Sequence, residues 1–312
     1  MTAIKNANGF LMFLLLLTLI ACKKEAALQP GNKEEYQLTI KDNPSDPVDH
    51  AIYQFYQATG IPVYYNDTIA REKVGDTAGV PLYKYHRLAI GYSPLGTQVS
   101  VSRVLLPDKT VMLSMLPFLK DKLLPQLENV FTLQSLFVVK SSTQRLYAGL
   151  TGRANKPFLG FNTLMINYVN PAELSDSAQR RYIGAALAII AYMKFRPAYA
   201  NGLTAEFNKI SQSTTAAPVV FNVELSTLSP DGNGTLEDFS FLPLRFVPQL
   251  VLLEGLTPTP EMDFLAYLEA VFYYNKNPSA DFETEYAAYP PMIKKFRLTK
   301  KILQGIGFSI SD

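Results

Sequence analysis

The feature that most constrains this chain is a lone cysteine at the end of an apolar run. "FLMFLLLLTLIA" fills residues 10–21, Lys5 supplies a positive charge before it, and Cys22 follows at once as the only cysteine of 312 residues. As a helix the run is too short to cross about 30 Å of hydrocarbon, but it has the length of a signal-peptide core. "LIAC", from Leu19 to Cys22, reads as a lipobox, where small residues let a lipoprotein signal peptidase cut before the acylated (palmitate-type) cysteine. With Cys22 consumed by lipid, the exported body has neither disulfide nor thiol chemistry, so packing alone must hold it. The acyl chains would hold it on a membrane.

The expected organisation follows. Residues 1–21 are a signal peptide, and 22–45 are the lipidated cysteine and a polar stalk with Pro30 and Gly31. Residues 46–312 are the globular body. The expected location is the outer membrane of a Gram-negative-like envelope, on its cell-surface or its periplasmic face. "CKKE" is compatible with surface export without deciding it. The 29 Lys and Arg nearly balance 27 Asp and Glu, which leaves no electrostatic case for nucleic acid.

Along the body, residues 45–60 ("SDPVDHAIYQFYQATG") carry a cap, an early proline, helical apolar spacing and a terminal glycine. "IPVYYND" reads as a strand, and residues 109–131 as helix broken by Pro117 and Pro125. "LQSLFVVKS" and "PFLGFNTLMINYV" read as two further strands. Residues 174–195 form the strongest helix, with a capping serine and an alanine-rich centre, and the pattern is mostly helical thereafter. Strands and helices first, then helices alone, predict an α+β fold.

Catalytic motifs are scarce. His50 and His86 are the only histidines, and they are not four apart as a thermolysin-like zinc site requires. "GYSPLG" around Ser93 misses the nucleophile elbow by one residue, and neither a P-loop nor a dinucleotide fingerprint occurs. "SPDGNGTLEDFSF", residues 229–241, resembles a calcium loop in its Asp231, Asn233 and Thr235. Serine stands at its first and twelfth positions, where Asp and a bidentate Glu belong. The stretch is therefore expected to be a turn feeding a helix, with Thr235 as cap and Glu237 and Asp238 at the positive end. The basic run Lys294, Lys295, Arg297, Lys300 and Lys301 reads as a solvated helix face rather than a contact for anionic lipid.

Four segments in order carry a resemblance: "DHAIYQFYQATGIPVYY", the long helix leading into "RPAYANGLTAEFNKIS", "LEDFSFLPLRFV", and "PPMIKKFRLTKKILQGIGFSI". Together they resemble the substrate-import-associated zinc metallohydrolase lipoproteins of the Bacteroidetes type, zincin-like proteins encoded beside TonB-dependent nutrient-uptake systems. The resemblance implies a zincin-like body, with a mixed α/β part followed by a mainly helical part. It also implies an H-E-x-x-H helix, but residues 182–193 read "YIGAALAIIAYM", without histidine or glutamate. The family's later E-D-F-A-E word survives as "EDFSF", keeping Glu237 and Asp238 and placing Phe241 where its second Glu would fall. No imidazole remains to hold zinc there.

The expectation is thus a non-catalytic, tethered accessory or binding protein of a nutrient-uptake system, with no catalytic residue and no cofactor. Its partners would be a TonB-dependent transporter and its binding lipoprotein, and its ligand a peptide or glycan. The alternatives are a hydrolase whose zinc or calcium is held by carboxylates, Glu237 and Asp238 being the candidates, or a structural subunit of an envelope complex.

Overall fold

In the computed structural model, residues 40–88, 90, 99–146, 151–154, 156–160, 163–199, 204–213, 219–229, 231–243, 246 and 255–311 are described. They lie in one compact unit, Thr39–Asp312. The signal segment, Cys22, most of the stalk and Ser93 lie outside them.

Helix α1, Pro47–Thr59, forms as its sequence dictates. Asp46 Oδ1 accepts from the backbone N–H groups of Val48 and Asp49 at 3.0 and 3.2 Å, Pro47 takes the first turn, and Gly60 closes the end at φ 71°. Val48, Ile52 and Phe55 form its buried stripe.

The central sheet is mixed. Strands β1 (Val63–Tyr64), β5 (Ser135–Val139) and β9 (Thr163–Asn167) run parallel, and β8 (Phe158–Leu159) pairs antiparallel with β9 at the edge. Every residue of β5 and β9 is buried, which explains their apolar centres, residues 136–139 and 164–166, without alternating polar positions. Leu136, Val138, Leu164 and Ile166 face the main helical core. Phe137, Val139 and Met165 pack on the other side against Ile90, Leu88 and Val101.

"PFLGFNTLMINYV" is therefore two strands rather than one, because the chain reverses after Leu159. Gly160 sits at that reversal: a β-carbon there would stand 1.8 Å from the Ile90 carbonyl oxygen. Two further sheets were not signalled by periodicity. Strands β2 (Thr68–Thr77) and β3 (Val80–Arg87) form an antiparallel ribbon, and β4 (Val99–Val104), β6 (Ser141–Leu146) and β7 (Thr151–Ala154) form a three-stranded sheet.

Pro117 and Pro125 change the helix pitch rather than breaking the segment. Helix α2, Met112–Phe118, runs into a wide turn at Leu119–Leu123 and a tight one at Leu124–Gln126. After β9 comes the helical part. Ser175 Oγ accepts from the N–H of Ala178 at 3.3 Å at the start of α3, Asp176–Tyr199. Helix α4 is Ala205–Gln212, α5 is Pro260–Tyr274, α6 is Phe282–Glu285 and α7 is Pro290–Gly305. Every residue of α5 from Met262 to Tyr274 is buried, as befits a helix apolar all round. The stretch between α4 and α5 departs from the helical expectation, since its described residues hold short turns and an isolated bridge, Glu224↔Leu256. The fold is α+β.

Candidate functional site

The 229–241 stretch spends its oxygen donors on its own backbone. Asp231 Oδ1 accepts from Ser229 Oγ and from the Asn233 N–H, the latter at 3.1 Å, an Asx turn. The expected helix is a single turn, Glu237–Phe239, stopped by Ser240 at φ 63°. Thr235 is not its cap. The bond runs the other way, with Asp238 Oδ2 accepting from the Thr235 N–H at 2.8 Å and from its hydroxyl at 2.9 Å. A β-carbon at Gly234 would lie 2.8 Å from the Phe239 ring, so a larger residue there would have to displace that ring.

Glu237 and Asp238 therefore sit on a local turn. His50 does not join them: its Nδ1 lies 2.7 Å from Asp42 Oδ1 and its Nε2 lies 2.8 Å from Gln54 Nε2. His86 lies on β3. Among the described residues no group of three or more His, Cys, Asp or Glu stands close enough together to hold a metal ion.

Helix α3 presents its centre to α5. Gly184 is the contact point, where a β-carbon would approach the Glu269 carbonyl oxygen to 3.3 Å and the Phe272 β-carbon to 3.5 Å. Ala185, Ala186, Leu187, Ala188, Ile189 and Ile190 are all buried. The small residues let two backbones approach, and the segment reads as packing rather than chemistry. At its rim, the Lys156 ammonium donates to both carboxylate oxygens of buried Glu269 at 3.0 Å.

The most polar interior site carries no motif in the sequence. Lys295, which the basic run assigns to a solvated face, is wholly buried, whereas Lys294, Arg297 and Lys301 are exposed. It lies on the inward stripe of α7 with Met292, Phe296, Thr299 and Leu303, and that three-and-four spacing was the available signal. Its ammonium donates to Asp263 Oδ2 on α5, to Ser211 Oγ on α4 at 2.8 Å and to the Ser240 carbonyl at 2.9 Å. The rings of Phe207, Tyr267 and Phe241 surround it at 4.4, 4.7 and 5.2 Å. The Tyr267 hydroxyl donates to the same Ser240 carbonyl at 3.0 Å.

Burial pushes Asp263 up to about 6 against the pull of Lys295, and burial likewise lowers Lys295. Asp263 Oδ1 and Ser240 Oγ have no hydrogen-bond partner among the described residues. The network joins three helices to the acidic turn. All its members are buried.

An open cleft of about 240 Å³ lies beside the first half of α3. Lys122, Asp176 and Arg180 stand at its rim, and Gly184, Leu187 and Phe272 line its apolar side. That volume suits one small polar molecule, being below the roughly 300–1,000 Å³ of drug-sized sites.

Comparisons with protein families, curated proteins and solved structures give no match.

Proposed function

We propose that this chain is a lipid-tethered, non-catalytic protein with a zincin-like body, acting as an accessory or binding component of a TonB-dependent uptake system at the outer membrane. One observation carries the non-catalytic reading. The part of α3 that corresponds, in the resemblance, to the family's metal-binding helix is filled from Gly184 to Ile190 by Gly, Ala, Leu and Ile, all buried against neighbouring elements. Charged ligands at that depth would need pairing or a metal to offset their desolvation, and an apolar interior has no such requirement. The order of mixed sheet followed by helices supports the same body plan. The cleft beside α3 offers room for a small polar ligand, such as a peptide end or a sugar.

The tether is tested by Cys22→Ser. The native chain is expected to fractionate with membranes and to leave them only in detergent, whereas Cys22→Ser is expected in the soluble fraction. Membrane retention of the serine variant contradicts the tether. Crosslinking of the native lipoprotein should recover a transporter, and recovery only as a free monomer counts against the uptake reading.

A further inference from the structure

Four of the seven large apolar side chains that stand exposed among the described residues lie on one element, the β2–β3 ribbon. Val74 is 50% exposed, Val80 67%, Leu82 53% and Tyr85 56%. An isolated two-stranded ribbon is marginal in water, and Val74, Val80 and Leu82 grouped towards its turn mark a contact surface. The turn is tight, with Ala78 and Gly79 both at positive φ (51° and 80°). The pairs Thr77↔Val80 and Gly75↔Leu82 place both apolar tip residues on one face. An irregularity between Lys73 and Gly75 then shifts the register, with Val74 inside it.

The other face has a different chemistry. Lys73 pairs with Tyr83 and Arg71 with Tyr85, and the Arg71 guanidinium lies 4.9 Å from the centre of the Tyr83 ring. Arg71, Lys73, Lys84 and Arg87 outnumber Glu72 and Asp76 on the ribbon, and Lys73 neutralises Asp76 at 2.9 Å. An apolar tip, followed by tyrosines and cations at the same levels along the stem, matches the acyl region and the anionic interface of a bilayer. From Val80 to Leu82 the strand rises about 7 Å, within the roughly 5–10 Å depth to which interfacial segments insert.

We propose that this ribbon is a second membrane contact, inserting Val80 and Leu82 into a leaflet that contains anionic phospholipid. It rests on the tether reading to the extent that Cys22 brings the body to a membrane; the ribbon then fixes which side of the body faces it.

The chain has no tryptophan, so Leu82→Trp gives a unique reporter. The experiment uses the mature chain carrying Cys22→Ser, so a failure of the ribbon leaves the tether untouched, and the converse also holds. With vesicles of phosphatidylcholine and about one-third phosphatidylglycerol, tryptophan emission is expected to shift to the blue and to be quenched by brominated acyl chains. Binding is expected to be about tenfold weaker to pure phosphatidylcholine vesicles. Co-sedimentation with the anionic vesicles should be lost in a Val80→Asp, Leu82→Asp double variant, which carries no tryptophan, whose thermal melt is unchanged. Unchanged emission overturns the proposal, as does sedimentation with vesicles without a blue shift, which is headgroup attraction alone. A concentration-dependent dimer whose emission ignores vesicles assigns the ribbon to a second copy of the chain and also overturns it.

Discussion

Lys295→Met is expected to destabilise the body by about 3–5 kcal/mol, read as a fall in the urea unfolding midpoint. The methionine fills much of the lysine's space, so the loss is electrostatic. Asp263 then stays wholly buried with its cationic partner Lys295 removed, and Ser211 Oγ and the Ser240 carbonyl each lose a donor. The double variant Asp263→Leu, Lys295→Met removes both charges and is expected to recover most of the loss, since apolar replacement of a buried pair is often neutral or better. A single variant costing less than about 1 kcal/mol contradicts the hub.

The same pair gives a pH signature. Asp263 titrates at about 6 in the folded chain against an ordinary value of 3.8, so between these limits the folded state keeps a proton that the unfolded state has released. Stability from this group is full below about 4 and falls as pH rises to about 6, a component absent from Asp263→Asn. Lys295 is shifted down, so on the alkaline side, below 10.5, the unfolded chain binds the extra proton. Its contribution therefore rises with pH there.

Gly160→Ala is expected to cost at least about 3 kcal/mol, at the upper end of overpacking effects. The added carbon would stand 1.8 Å from the Ile90 carbonyl oxygen, and the obstacle is backbone, which cannot rotate aside as a side chain can. Ile90 is itself buried against Phe137, Val139 and Met165, so it cannot retreat without opening that face of the sheet. The Gly160 N–H also donates to the Thr163 carbonyl at 3.0 Å, tying the reversal to β9. Gly75→Ala is the control. It lies on β2, where an added β-carbon would meet nothing within 4 Å, and should change the melting temperature little. A Gly160→Ala chain that melts with wild type contradicts the close approach.

These two sites also show where sequence reading stops. Elements with a one-dimensional signature were legible: α1 from Asp46, Pro47 and Gly60; α3 from Ser175 and its alanine-rich centre; β5 from its apolar core, residues 136–139, while β9 was merged with β8 into one strand. The ribbon was not, because most of its described side chains are exposed on both faces, so no alternation of apolar and polar residues marks it. Gly160 looks like a residue within a strand because the atom that forbids a side chain lies 70 residues earlier. Lys295 is hidden among Lys294, Arg297, Lys300 and Lys301, since a charge run displays composition while burial depends on helix phase. Glu237 and Asp238 are legible as the acidic pair of a turn. That Asp238 holds Thr235, and not the reverse, is a matter of side-chain geometry that spacing leaves open.

The central claim is that the body does its work without a metal-dependent active site, and metal analysis of the purified, dialysed protein tests it most directly. The account predicts zinc and calcium far below one ion per chain, unchanged by Glu237→Ala or Asp238→Ala. One zinc per chain that disappears in those variants would contradict it, and would make this a hydrolase with a carboxylate-held metal.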